Sequence, residues 1–236
     1  MTELLYQTDA YLKEFTATVT SVDADNNGVF LDRTVFYPGG GGQPADFGTL
    51  ETDDGTIYTV KKTGRSNVHM IDGDALPPVG ATVKGVIDWD HRYKLMRTHT
   101  ALHVLCGVVW HDYGASVTGG NMEPLSARMD FEFERMQKEL VTEIEARVNE
   151  EIAKNHAVAT QLLPRAEAFE IPDLIRTKVN LIPETVTEIR TVEIVGLDLQ
   201  ACGGTHLKNT SEIGAIRVPK YKSKGGINKR IYIELD

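Results

Sequence analysis

Four side chains in two short segments carry the strongest chemical signal in this sequence. His99 and His103 lie in RTHTALHV, residues 97–104, and Cys202 and His206 lie in QACGGTHL, residues 200–207. On a helix, positions i and i+4 share a face, so His99 and His103 project their imidazoles the same way and can chelate one ion. A Cys-Gly-Gly-Thr-His turn can wrap backbone closely around an ion, because its two glycines permit φ > 0 and carry no Cβ. Three imidazole nitrogens and one thiolate form a tetrahedral zinc set. Zinc proteases also place two histidines four apart, but as His-Glu-x-x-His with the glutamate as general base. Here that second position is Thr100, so protease chemistry is set aside. Cys106, three residues after His103, is the competing ligand and reads instead as a small buried hydrophobe. His69, His91, His111 and His156 have no motif around them and read as surface or structural residues.

The first histidine pair needs a helix to hold it. The segment from His91 to Tyr113 has that character, with Leu95, Leu102, Leu105 and Val109 in its apolar stripe, Asp88 or Asp90 as N-cap and Gly114 just past its end. A second helix is expected from Met136 to Asn155, where Leu140, Ile144, Val148 and Ile152 recur every four residues. Strands are expected around these helices at Ser126–Phe133, Ala157–Leu163, Val186–Ile194, Ile213–Pro219 and Lys229–Glu234. The first part of the chain reads differently. Phe15–Val22 alternates apolar and polar residues, Asn26-Asn27-Gly28 supplies a hairpin turn, and Val29–Phe36 continues as a strand. Ile57–Lys61, Asn67–Ile71 and Thr82–Ile87 are further strands, with turn signals at Asp54-Gly55, Asp72-Gly73 and Pro77-Pro78. The expected class is α+β: a small N-terminal β-barrel over residues 1–89, then an α+β domain over 90–236 with helices packed on a mainly antiparallel sheet.

Composition sets the outer limits. Hydrophobic residues make up 41 % of 236, enough for a packed core, and the longest apolar run is far below a membrane span. The N-terminus MTELLYQTDAYLKEF has no basic stretch leading into an apolar one, so a soluble, cytoplasmic protein is expected. Two cysteines make a disulfide framework improbable. The net charge of −9 argues against non-specific nucleic-acid binding, yet Arg217–Arg230 carries six cations and no acid, leaving −15 on the remainder. Such a strip on an acidic body suits a specific anionic partner held at one face; by itself it reads equally well as a solvated basic hairpin.

HTALH followed by ACGGTH resembles the editing domain of alanine–tRNA ligases and of their free-standing relatives, the AlaX proteins. FYPGGGGQPADFG (Phe36–Gly48) resembles the glycine-rich segment that precedes that domain in both groups. RMDFEF (Arg128–Phe133) and KSKGGINKRIYIE (Lys222–Glu234) are similar to further family elements. The editing domain of threonine–tRNA ligases carries related spacings. At 236 residues the chain is too short to hold a ligase core as well, so the resemblance implies an AlaX protein of the medium, two-domain type acting in trans.

That resemblance implies hydrolysis of wrongly charged tRNA(Ala), chiefly Ser-tRNA(Ala) and in some family members Gly-tRNA(Ala), at a zinc ion held by the catalytic set His99, His103, Cys202 and His206. It implies that Gln43 lies near the terminal adenosine, that Thr118 binds the serine hydroxyl, and that Gly203, Gly204 and Thr205 line the substrate pocket. Gly40, Gly41, Gly42, Lys222, Lys224, Lys229 and Arg230 become the tRNA contacts, with the phosphate contacts positioning the acceptor stem. On its own the four-glycine run reads only as a flexible loop. Asp130 and Asp198 are candidates for a general base. Two other readings use the same residues: a tRNA-binding module with structural zinc and no hydrolysis, and a zinc hydrolase for an unrelated small ester.

Overall fold

A computed structural model describes residues 2–177 and 182–236. The chain divides into two compact units, Met1–Tyr93 and Lys94–Asp236. The first holds β1 (Glu3–Leu4), β2 (Glu14–Asp23), β3 (Gly28–Leu31), β4 (Arg33–Thr34), β5 (Gly48–Thr52), β6 (Ile57–Thr63), β7 (His69–Asp72) and β8 (Thr82–Ile87). Six of these close into an antiparallel barrel in the order β2-β3-β7-β6-β5-β8, and β8 pairs back onto β2. The period of two seen in the sequence points Phe15, Ala17 and Val19 inward from β2, where they meet Leu31, Leu50, Val60, Ile71, Val83 and Ile87. Gly85 takes an inward position of β8 where a Cβ would lie 2.2 Å from the Phe15 ring, so the missing side chain makes room for that ring.

The strand expected over 29–36 is broken. The Asp32 carboxylate accepts the Thr18 N–H at 2.7 Å, the β2 register shifts between Val19 and Ser21, and Arg33–Thr34 pairs in parallel with β1 instead. β5 carries no clear alternation in its sequence, GTLET, and only Leu50 in it is buried, which is why sequence reading passed over it.

Helix α1 (Trp89–Tyr113) runs from the first unit into the second. Of the two candidate caps it is Asp88 that serves, its Oδ1 accepting the His91 N–H at 2.8 Å. Gly114 ends the helix at φ +63° with its N–H on the Trp110 carbonyl at 2.9 Å. From Thr98 to Val109 every residue is buried, so α1 is a helix covered on all sides rather than the striped surface helix the sequence suggested.

The rest of the second unit comprises β9 (Val117–Glu123), β10 (Ser126–Glu132), α2 (Lys138–Ala153), β11 (Val158–Pro164), α3 (Arg165–Phe169), β12 (Glu188–Ile194), β13 (Asp198–Ala201), β14 (Ile216–Ser223) and β15 (Asn228–Leu235). They build two antiparallel sheets, β14-β15-β10-β9 and β11-β12-β13. The expected strand at 213–219 starts later. Asn209 caps a short 3-10 turn over Thr210–Ile213, Gly214 follows at φ +79°, and β14 begins at Ile216. β9, β13 and α3 went unread because they are short or, in VTGGNME, interrupted by two glycines. The architecture is thus the expected α+β, a barrel followed by helices and antiparallel sheets. No helix among the described residues is long and apolar enough to cross a membrane.

Candidate metal centre

α1 and the turn after β13 bring the four signal residues together. One ligand atom from each of His99, His103, Cys202 and His206 lies within 4.8 Å of the others. Cys202 Sγ is 3.5 Å from His99 Nε2 and 3.4 Å from His206 Nε2. Zinc bonds of about 2.0–2.1 Å to nitrogen and 2.3 Å to sulfur, directed tetrahedrally, set ligand atoms roughly 3.3–3.6 Å apart. The donor set and these two separations therefore fit zinc. The three rings face one another, with centroids 4.2–5.1 Å apart.

The electrostatics keep the imidazoles neutral, the form that binds metal. Burial pushes His103 down to about 3, with the Arg190 guanidinium adding to it. Burial also holds His99 and His206 well below the usual range, reinforced by the neighbouring imidazoles and Arg190. Burial raises the Cys202 thiol, opposed by the Gly204 N–H and Arg190. The Gly204 N–H donates to Cys202 Sγ at 3.4 Å, a contact that favours the thiolate.

Two residues that sequence reasoning missed contact the ligands or the turn that carries them. Thr100, noted only for not being glutamate, has its Oγ1 3.3 Å from His206 Nδ1 and accepts the Leu207 N–H at 3.1 Å. A donated Nδ1–H leaves Nε2 of His206 free for metal. Its position inside HTALH was the signal for it. Arg190 is buried on β12, and one of its guanidinium nitrogens donates to the carbonyls of Cys202 at 3.0 Å and Gly204 at 2.8 Å. Nothing in the sequence marks Arg190, because only the β12–β13 pairing carries it to a turn twelve residues on. The glycines of that turn act differently from expectation: neither Gly203 nor Gly204 takes a positive φ, and a Cβ at Gly203 would meet nothing within 4 Å.

Cys106 stays out of the cluster. Its thiol is buried and pushed up to about 12, first by burial and then by Asp198, as befits a small core residue. Asp198 itself accepts from Arg176 and from Gln200 Nε2, and Asp130 accepts from Arg230 Nε at 2.6 Å and Nη2 at 2.8 Å. Both candidate bases are therefore held by guanidinium groups. The Thr118 hydroxyl is exposed and donates to Asn228 Oδ1 at 3.0 Å, while Thr205 is fully buried. The basic strip forms the β14–β15 hairpin, with Lys222 and Lys224 exposed at its end. Lys229 is buried with its Nζ on the Gly226 carbonyl, and Arg230 is committed to Asp130.

Gln43 and the glycine run belong to the first unit. The run forms a tight turn. Gly39, Gly40, Gly41 and Gly42 all have φ between +57° and +138°, and Gly40 and Gln43 exchange backbone hydrogen bonds of 3.0 and 2.9 Å. The Tyr37 hydroxyl donates to the Gly40 carbonyl at 3.0 Å. Below the turn, Asp46 accepts from the Tyr37 N–H and from the fully buried Arg92, whose other donors reach the carbonyls of Ala10 and Val35.

The chain is similar to known proteins along its whole length. The family described as threonyl and alanyl tRNA synthetase second additional domain matches residues 189–232, and that described as tRNA synthetases class II (A) matches residues 4–91. The alanyl-tRNA editing protein AlaX-M of Methanosarcina mazei is 43 % identical over 100 % of this chain and 97 % of its own length. The AlaX-M protein of Saccharolobus solfataricus is 40 % identical over 98 % of each. The alanine–tRNA ligase of Pyrobaculum aerophilum is 40 % identical over 92 % of this chain but only 25 % of its own length. Identity of this order along the whole of both chains places the protein in the AlaX-M family of alanyl-tRNA editing proteins.

Proposed function

We propose that this protein is a trans-acting, cytoplasmic deacylase that hydrolyses the ester of tRNA(Ala) wrongly charged with serine, and also with glycine, at a zinc ion held by His99, His103, Cys202 and His206. The observation that carries the proposal is the convergence of those four ligand atoms in a chain whose full-length relatives are named alanyl-tRNA editing proteins. Zinc, when bound, supplies a Lewis acid beside an ester that is already labile. The chain's own residues supply the rest. Thr100 and Arg190 orient the ligands. Thr118 accepts from the serine hydroxyl while its own hydroxyl donates to Asn228, a hydrogen bond that alanine lacks, which favours the seryl over the alanyl ester. Gly203, Gly204 and Thr205 wall the pocket, and Gln43 with Gly40, Gly41 and Gly42 meets the terminal adenosine. Exposed Lys222 and Lys224 contact acceptor-stem phosphates directly. Lys229 and Arg230 contribute by exchanging or sharing their internal partners.

One observation favours a second reading. Four protein ligands complete a tetrahedral shell, as in structural zinc sites, which would leave a tRNA-binding module without chemistry. Incubation of the protein with Ser-tRNA(Ala), with Ala-tRNA(Ala) as control and with chelator in a parallel sample, separates the two. Zinc-dependent release of serine supports the deacylase. Binding of the charged tRNA with no release supports the module.

A further inference from the structure

We infer that Arg190 is the positioning residue of the metal centre: it shapes the Cys202–Gly204 turn so that Cys202 and His206 reach His99 and His103. The inference rests on the zinc part of the proposed function. A turn built on Gly203 and Gly204 is intrinsically loose, since glycine loses more conformational freedom on ordering than any other residue. A Cβ at Gly203 would meet nothing within 4 Å, so packing does not hold that residue, although Gly204 after it is buried. Arg190 grips the turn by its backbone and its side chain together. Its carbonyl accepts the Cys202 N–H at 2.9 Å, extending the β12–β13 pairing by one residue, and a single guanidinium nitrogen gathers the carbonyls of Cys202 and Gly204 at 3.0 and 2.8 Å. The Gly204 N–H on Cys202 Sγ ties the sulfur to the turn whose carbonyls Arg190 holds. Arginine has no acceptor and cannot ligate a cation, so it acts through the turn.

The test uses the full chain with Arg190→Met, which keeps the stem and removes the donors, and Arg190→Lys, which keeps a charge and a shorter donor. Zinc affinity is read by competition with a chromogenic chelator, and Cys202 ligation by the thiolate-to-metal charge-transfer band of the cobalt(II)-loaded protein. Arg190→Met is expected to weaken zinc binding about 10–100-fold, the usual cost of losing an outer-shell partner, and to diminish the thiolate band at equal cobalt occupancy. Arg190→Lys is expected to fall between Met and wild type. Wild-type affinity with an unaltered thiolate band in Arg190→Met overturns the role. If Arg190→Met does not fold, Arg190→Lys decides it: severalfold weaker zinc binding supports the role and wild-type binding overturns it. A wild-type chain that binds no zinc removes this role and the zinc site together. Zinc binding that responds as expected in a protein that leaves Ser-tRNA(Ala) intact removes the deacylase reading and keeps Arg190.

Discussion

His69 and the trio His99, His103 and His206 are all buried histidines, all held below the ordinary imidazole range chiefly by burial. Their partners differ. In the barrel unit, His69 Nε2 lies 2.8 Å from Thr34 Oγ1 and Nδ1 lies 3.3 Å from the Val29 carbonyl, so protein groups satisfy both ring nitrogens of a neutral ring. In the second unit the three rings turn toward one another and toward a thiol, and their ligand atoms form a cluster that could hold a cation. The two buried arginines divide the same way. Arg92 neutralises Asp46, whereas Arg190 holds two carbonyls of the Cys202 turn. Burial and a depressed pKa thus do not mark function; the direction in which the donors and acceptors converge does.

The contrast can be broken at either end. The largest effect is expected in the barrel: Arg92→Leu leaves Asp46 buried without its cation and should cost about 3–5 kcal/mol of stability in denaturant unfolding. Next comes Cys202→Ala, which removes a ligand outright. It should lower zinc affinity and Ser-tRNA(Ala) deacylation by more than about 100-fold, beyond the cost of an outer-shell change, with little change in barrel stability. Comparable losses in both measurements for Arg92→Leu would erase the distinction between the units.

Acid sharpens the same comparison. The unfolded chain protonates His69 near 6.5 but the folded barrel only near 4, so between these values the unfolded state binds more protons and stability rises with pH. His69's share is fully present above about pH 6.5 and is lost as pH falls toward 4, about 2 kcal/mol by pH 5 and about 3 at most. His69→Gln should flatten that part of an unfolding-versus-pH curve; an unchanged slope would contradict the structural role given to His69. The smallest effect is expected at Thr118. Thr118→Val should erode the preference for seryl over alanyl ester by about tenfold, roughly 1.4 kcal/mol, and an equal ratio of deacylation rates in variant and wild type would remove Thr118 from the pocket.

Much of the site was legible in the sequence because helical spacing is a local property. His99 and His103 had to share a face wherever α1 packed, and Asp88 and Gly114 marked its ends. The barrel was legible through alternation in Phe15–Val19 and Val83–Ile87, and failed to be legible where a side chain intervened, as Asp32 does at Thr18. The roles of Thr100 and Arg190 were not legible, since both act on groups reached only through long-range pairing, Thr100 across 106 residues to His206. The turn geometry of the four-glycine run was not legible, since Arg92, which holds Asp46 beneath it, lies 46 residues further along the chain.

By itself the sequence determined the ligand types, their pairing in fours and the α+β class, since these follow from residue chemistry and short-range periodicity. Tertiary structure alone decided that the two pairs meet within 4.8 Å and that Lys229 and Arg230 turn inward to Gly226 and Asp130. The physical reason is that each of these depends on which distant backbone and side-chain groups compete for the same donor or acceptor, and that competition exists only once the sheets have paired.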